Sequence, residues 1–256
     1  MTEREWLRTK NPALLFDHLR PARTKKSRRR LHLVACGCCR LIWDHLTDSR
    51  ATSAVEVAER FADGLAGAHE LLEGSQAASA VMKEASPPAD PEDADWMYGL
   101  WDPYLAAPAY SAAYFAASPD PTEVARAALY AGQAQTEAAS PLAQATDGPA
   151  RARRESAALA EQDAQAALLR DIFGPLPFQR VGIDPGWLTP TVVALAEAAR
   201  EERQLPEGTL DQAHLAVLAD ALEEAECSNA DLLGHLRSPG PHVRGCFVVD
   251  LLLNRP

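Results

Sequence analysis

Apolar side chains recur at helical spacing along most of the chain. Between about Thr24 and Leu46 they return every three or four residues, the spacing of one face of an α-helix. In the C-terminal third, Pro and Gly divide similar stripes into helices of about 10–17 residues with loops of about 2–6, a length that favours antiparallel neighbours. The pattern predicts an all-α fold, an irregular multi-helix bundle.

Capping residues predict where several helices begin. Asn11-Pro12 combines a capping side chain with proline at the first helical position. Asp48 or Ser49 can cap the helix of the next apolar stripe, and Thr189-Pro190 opens a later helix. Thr209 with Gln212 has the spacing of a capping box, and the last helix is expected from about His242.

The middle of the chain differs in composition from both ends. Residues 74–95 are rich in Gly, Ser, Pro and Asp, which predicts a loop or linker. Large aromatic residues follow, at Trp96, Tyr98, Trp101, Tyr104, Tyr110 and Tyr114. They either fill gaps between Ala-rich helices or line a pocket or partner groove. We therefore expect one composite domain, with core segments 1–73 and 161–256 around a linker and variable Ala-rich, aromatic helical insertion at 74–160.

Composition excludes several classes of protein. The 256 residues are 47% hydrophobic, too many for a disordered chain. No apolar run reaches the roughly 18 residues of a membrane helix, and the first ten residues are too charged for a signal peptide. We expect a soluble protein of the cytoplasm.

Charge is distributed unevenly. The net charge is −11, yet residues 1–50 have a net charge of +7 and the remaining residues −18. The densest basic segment contains Arg20, Arg23, Lys25, Lys26, Arg28, Arg29 and Arg30. These residues either pair with acids of the same chain, such as Glu223, Glu224 and Glu226, or contact the phosphates of a nucleic acid. Internal pairing is the favoured interpretation.

Cysteine and histidine provide the candidate metal ligands. Five cysteines, an odd number, argue against a disulfide framework. A C-x-x-C step on a helix places two thiols one turn apart, close enough to share a zinc ion. The candidate ligands are Cys36, Cys38, Cys39, Cys227, His235, His242 and Cys246. The competing interpretation, which we favour, is that the thiols pack in the core as small apolar groups.

Known catalytic motifs are absent from the sequence. It contains no Gly-rich phosphate loop, no H-E-x-x-H, no G-x-S-x-G and no set of kinase motifs. A nucleophilic pair of Cys246 with His235 or His242 stays open, because distance along the chain does not fix distance in space.

The two ends of the chain carry a family resemblance. LHLVACGCCRLIWDHLTDSR, with its step Cys38-Cys39-Arg40, and PGPHVRGCFVVDLLL, with His242 to Cys246, resemble an uncharacterised, paralogue-rich family of planctomycete proteins. The resemblance covers roughly residues 1–65 and 165–256. It implies that the first and last thirds pack together around a variable insertion, and it implies a cytoplasmic location. It supplies no chemistry.

Gly245 suggests where the last helix packs. A glycine permits close approach of another element. We expect the helix of Cys38 and Cys39 at this position, which would bring Cys246 near them.

The leading functional prediction is a non-enzymatic helical module for protein interaction or assembly. One alternative is a zinc- or thiol-dependent protein that uses the helix of Cys36, Cys38 and Cys39 with His242 and Cys246. Another is an acidic immunity-type inhibitor of a basic effector.

Overall fold

The structure is a computed structural model that describes residues 1–19, 25–86, 107–120, 123–139, 148–175, 177–179 and 181–255. Within these ranges it contains twelve α-helices and a single two-stranded antiparallel sheet. The predicted all-α multi-helix fold is confirmed. None of the helices in these ranges is both long enough and apolar enough to cross a membrane.

The helices are, in chain order, α1 (Glu3–Arg8), α2 (Pro12–Leu19), α3 (Lys25–Leu41), α4 (Ser49–Ala62), α5 (Ala68–Ala85), α6 (Pro108–Ala116), α7 (Val124–Ala139), α8 (Gly148–Phe173), α9 (Pro190–Glu201), α10 (Gln212–Glu224), α11 (Ala230–Leu236) and α12 (Phe247–Leu252). Single 3₁₀ turns lie at Trp43–His45 and Pro185–Trp187. Strand β1 (Arg203–Gln204) pairs with β2 (Thr209–Leu210).

Side-chain caps fix several of these starts, as the sequence predicts. The carboxylate of Asp48 accepts the backbone N–H of Arg50 at the start of α4. The hydroxyl of Thr189 accepts the N–H of Val192 at the start of α9. Each cap satisfies a backbone donor that has no partner within its own helix.

Two predicted boundaries in the C-terminal third are wrong. Thr209 is not the cap of α10, because it lies in β2; Asp211 takes that place and accepts the N–H groups of Ala213 and His214. The last helix begins at Phe247 and not near His242. Gly245 has a φ of +98°, which an α-helix does not allow.

The predicted linker at 74–95 is helical in its first part. Helix α5 continues to Ala85, because its buried residues Leu71, Ser75, Ala78 and Met82 follow one another at spacings of three and four. Gly74 lies inside this helix, where its missing side chain lets α5 approach the backbone of Ala54 in α4. Residues 87–95, like the aromatic residues Trp96 to Tyr104, lie outside the described residues.

The chain divides into two compact units. Unit 1 consists of Met1–Gly37 and Asp163–Pro256, and unit 2 of Cys38–Gln162. Residues 38–73, which the sequence prediction assigns to the N-terminal core segment, belong to unit 2. Within unit 2, α4 packs against α5 and α6, and α6 packs against α7.

The core of unit 1 is formed mainly by α9 to α12. Leu215, Leu222, Leu232, Val248 and Leu252 lie in one cluster of buried side chains contributed by α10, α11 and α12. Helix α9 packs against both α10 and α12. The ends of α8, α11 and α12 therefore belong to one packed body, in which the candidate site lies.

Candidate metal centre

Four side chains of unit 1 converge on one point. Asp171, His235, His242 and Cys246 each direct one ligand atom to it, and these atoms all lie within 4.8 Å of one another. In the part of the chain that the structure describes, this is the one group of three or more His, Cys, Asp or Glu side chains with such spacing. The group consists of three of the predicted ligands, His235, His242 and Cys246, and the carboxylate of Asp171.

Three helix ends and a loop position these side chains. Asp171 lies in the last turn of α8, His235 in the last turn of α11, and Cys246 is the N-cap of α12. His242 lies in the connection between α11 and α12. Gly240 turns that connection with a φ of +83°, and a Cβ there would lie 2.7 Å from the backbone nitrogen of His242. Only glycine fits this turn without strain.

Asp171 lies at the middle of the cluster. Its Oδ1 is 3.0 Å from Nε2 of His235 and 2.8 Å from Nδ1 of His242, and its Oδ2 accepts the backbone N–H of Val243 at 2.9 Å. Burial by itself would raise the pKa of this carboxyl. The hydrogen bonds and charges of the two histidines outweigh burial and lower the pKa of Asp171 below its ordinary value, so it is a carboxylate.

His242 is held on both sides of its ring. Besides the contact of Nδ1 with Asp171, its Nε2 lies 3.1 Å from the carbonyl oxygen of Ser238. Burial opposes the imidazolium form, but the carboxylate of Asp171 and the Ser238 carbonyl outweigh it and raise the pKa of His242. A metal-bound histidine commonly donates its second N–H to a backbone carbonyl in this way.

Cys246 provides the sulfur of the cluster. Its Sγ lies 3.3 Å from Nε2 of His235, and its side chain is completely buried. Burial raises the pKa of this thiol well above its ordinary value, and the charge of Asp171 adds to the rise, while hydrogen bonds from the backbone N–H groups of Val249 and Val248 oppose it. A bound metal ion would ionise the thiol outright.

One nitrogen of His235 faces two neighbouring groups of the cluster. Nε2 of His235 carries at most one proton, yet it faces both the Asp171 carboxylate and the Cys246 sulfur. A divalent cation contacts all four donors at once. It also balances the negative charges of Asp171 and ionised Cys246, which makes the buried site neutral.

The spacing of the donors also suits an ion. Zinc bonds of about 2.0–2.3 Å in a tetrahedron place neighbouring ligand atoms about 3.3–3.7 Å apart. The measured contacts of 2.8, 3.0 and 3.3 Å need to widen by less than about 1 Å to reach those distances.

The geometry does not match a catalytic Cys–His–Asp relay. In such a relay the thiol and the carboxylate contact opposite nitrogens of the imidazole, so that one orients the ring while the other exchanges a proton. Here Asp171 and Cys246 contact the same nitrogen of His235, and the thiol is not exposed to solvent. The pair that the sequence leaves open is close in space but arranged for coordination.

The remaining candidate ligands lie elsewhere. Cys227 is buried in the apolar cluster of unit 1, and Cys36 is buried in α3. Cys38 and Cys39 are buried in unit 2. The structure therefore does not bring the C-x-C-C segment to the cluster.

Asp171 is the member of the cluster that sequence reasoning missed. The one available signal is its position in the run Leu168 to Phe173, where an acid interrupts apolar residues near the end of a helix. The chain has 36 acidic residues, so this signal was weak.

Gly245 makes a close approach to α3, as expected, but at a different residue. A Cβ at Gly245 would lie 2.7 Å from Cδ1 of Leu33 in α3 and 3.6 Å from Ile172 in α8. The contact is thus in the half of α3 that belongs to unit 1, whereas Cys38 and Cys39 belong to unit 2.

Two arginines of the basic segment make contacts within unit 1. Arg29 forms an ion pair with Asp250 of α12, which is 1% exposed, and the guanidinium of Arg30 lies 6.0 Å from the ring centre of Phe173. The expected partner Glu223 instead pairs with Arg237. Arg20 and Arg23 lie outside the described residues, as do the side chains of Lys25 and Lys26, while Arg28 is exposed.

The chain was compared with protein families, curated proteins and solved structures. No family model, curated protein or solved structure matches it. The cluster is a set of two imidazoles, one carboxylate and one thiol around a common point, and His235 is its one partly exposed member.

Proposed function

We propose that the protein is a metal-binding helical protein whose unit 1 is built around a structural zinc centre. The observation that carries the proposal is the convergence of Asp171, His235, His242 and Cys246, with ligand atoms within 4.8 Å of one another. This corresponds to the metal-dependent alternative of the sequence analysis, with a carboxylate in place of the N-terminal cysteines.

The donor set favours zinc over hard cations. Two imidazole nitrogens, one thiolate sulfur and one carboxylate oxygen form a mixed set that suits a borderline ion in tetrahedral geometry. Calcium and magnesium prefer six or more oxygen ligands, and this cluster provides a single side-chain oxygen to the common point.

The position of the ligands favours a structural role. They come from the end of α8, the end of α11, the following connection and the start of α12, so a bound ion ties these segments together. Four protein ligands complete a tetrahedron, which is typical of structural zinc sites. Metal binding then contributes directly to the stability of the fold.

A reducing compartment suits this centre. The five cysteines are all free in the structure, and the metal needs Cys246 as a thiolate. We propose the cytoplasm as the location, where thiols are kept reduced.

The test is elemental analysis of the full-length protein and two matched variants. Wild type should retain about one equivalent of zinc after dialysis. Cys246→Ser should lose it, whereas Cys227→Ser, a change at another buried cysteine of unit 1, should keep it. Circular dichroism spectra of the three proteins check that they are folded.

Two results would contradict the proposal. One is a folded wild-type protein that binds no divalent ion with a dissociation constant below about 1 mM, an affinity of only about 4 kcal/mol. The other is equal zinc content in both cysteine variants. The protein-interaction role and the acidic-inhibitor role derived from sequence stay predictions.

A further inference from the structure

We infer that His235 is the exchangeable ligand of the proposed metal centre, the corner at which the ion enters and leaves. At this corner a small neutral nitrogen donor from solvent, such as imidazole, can replace the side chain. The inference rests on the proposed function and concerns how that site is reached.

Exposure distinguishes His235 from the other three ligands. Its side chain is 18% exposed, compared with 2% for both Asp171 and His242, and Cys246 is completely buried. A chelator or an incoming ligand must contact either the metal or the ligand that it displaces. Among the four, His235 alone offers such a surface.

Secondary contacts distinguish it as well. Asp171 is fixed through its second oxygen by the N–H of Val243, and His242 is fixed through Nε2 by the carbonyl of Ser238. No described residue forms a hydrogen bond with Nδ1 of His235, whose polar contacts are all made by Nε2. A hydrogen-bond partner at the second ring nitrogen orients a metal-bound histidine. The ring of His235 is therefore less restrained than the ring of His242.

The surroundings of the ring show which contacts an exchange would break. The ring of His235 lies against the rings of His242 and Phe247, with centroids 4.7 and 4.5 Å away. Its helix, α11, has only seven residues, and His235 is next to its last residue. Turning this side chain outward breaks these ring contacts and the metal bond. Moving His242 would also separate its ring from the carbonyl of Ser238.

The experiment compares metal release from wild type, His235→Ala and His242→Ala, each as full-length protein loaded with cobalt or zinc. An excess of a chromogenic chelator reports the rate. His214→Ala is the control, because His214 is an exposed histidine of unit 1 outside the cluster. It should release metal at the wild-type rate.

We expect His235→Ala to release metal at least about tenfold faster than wild type, the lower range for loss of a residue that orients or binds a metal. Added imidazole should slow that release towards the wild-type rate by occupying the vacated position. His242→Ala should bind metal weakly and gain nothing from imidazole, since its position is closed to solvent.

Wild-type protein supplies a second measurement that does not depend on the folding of any variant. Its release rate to the chelator should rise with imidazole concentration, because the donor displaces His235. Equal rescue of both histidine variants, or a wild-type rate independent of imidazole, would overturn the inference while leaving the metal centre intact. Absence of metal from the wild type would instead overturn the proposed function.

Discussion

The two units each contain a buried polar cluster, and the clusters differ in how their charges are satisfied. In unit 2, Nε and one terminal nitrogen of Arg40 donate to separate oxygens of Glu59, both at 3.1 Å, and the guanidinium lies 4.0 Å from the ring centre of Trp43. Each of these donors has its own acceptor. In unit 1, one nitrogen of His235 and one oxygen of Asp171 are each shared between two neighbours.

This difference shows how a buried ion pair is distinguished from a metal site. In a pair such as Arg40 with Glu59, one positive charge lies against one negative charge, and two donors face two separate acceptors. In the proposed metal centre, a cation at the common point would contact all four ligand atoms. The cysteines of the two units differ in the same way. Burial raises the pKa of Cys39, which is next to Arg40 in the chain, so Cys39 remains a packed thiol. Cys246 instead belongs to the group of candidate ligands in unit 1.

The largest expected effect concerns the ion pair of unit 2. Glu59→Ala leaves the guanidinium of Arg40 buried without this carboxylate and should lower the free energy of unfolding by about 3–5 kcal/mol. Urea unfolding measures the loss. Zinc content should not change, because Glu59 is not a ligand. A double variant, Arg40→Met with Glu59→Leu, should recover most of the stability. A Glu59→Ala protein as stable as wild type would mean that the pair is not buried in solution.

Removal of the metal should have a comparable effect in unit 1. A free ion at about 1,000 times its dissociation constant stabilises the folded state by about 4 kcal/mol, which a chelator removes. Thermal unfolding with and without chelator measures the difference. Cys246→Ser should be insensitive to chelator, and Cys227→Ser should respond like wild type. A wild-type unfolding curve that chelator leaves unchanged would contradict a structural role for the ion.

Gly245→Val tests the close packing next to Cys246. The added Cβ would lie 2.7 Å from Leu33, and valine strongly disfavours a φ of +98°. Overpacking alone should cost about 1–3 kcal/mol, and the backbone strain adds to this. Gly182→Val is the control, since among the described residues none but its chain neighbours lies within 4 Å of the position of its Cβ. Equal stability of the two variants would contradict the close approach of α3 and α8 to this turn.

The smallest effect is expected at the cap of α11. The side chain of Asn229 accepts the N–H groups of Asp231 and Leu232, and Asn229→Ala should cost about 1 kcal/mol. Because α11 carries His235, the variant should also release metal faster than wild type. Unchanged release kinetics, with the expected loss of stability, would show that the end of α11 is held by its core contacts and not by its cap.

Local signals explain why much of the fold could be predicted from the sequence. Asp48 and Thr189 cap their helices through neighbouring backbone atoms, so the sequence is sufficient to locate them. The start of α12 was misplaced because Gly245 takes a positive φ, which depends on the neighbouring elements. Helix α5 was missed because Gly74 indicates a break in sequence, although here it permits close helix packing.

The sequence indicates which residue types could form the candidate site, but it does not indicate which individual residues come together. His235, His242 and Cys246 were among seven candidates because imidazole and thiol are metal-binding groups. Their grouping depends on the path of the chain through Gly240 and on α8, which is distant in sequence. Asp171 is recognisable as a ligand only once that helix end is placed beside them.

Cobalt binding to the full-length protein tests the central claim most directly. We predict that a single equivalent of Co²⁺ produces the intense visible absorption of a tetrahedral site together with a sulfur-to-cobalt charge-transfer band. The charge-transfer band should disappear in Cys246→Ser and persist in Cys39→Ser. A wild-type spectrum without the sulfur band, or a band that depends on Cys39 and not on Cys246, would contradict the metal centre proposed for unit 1.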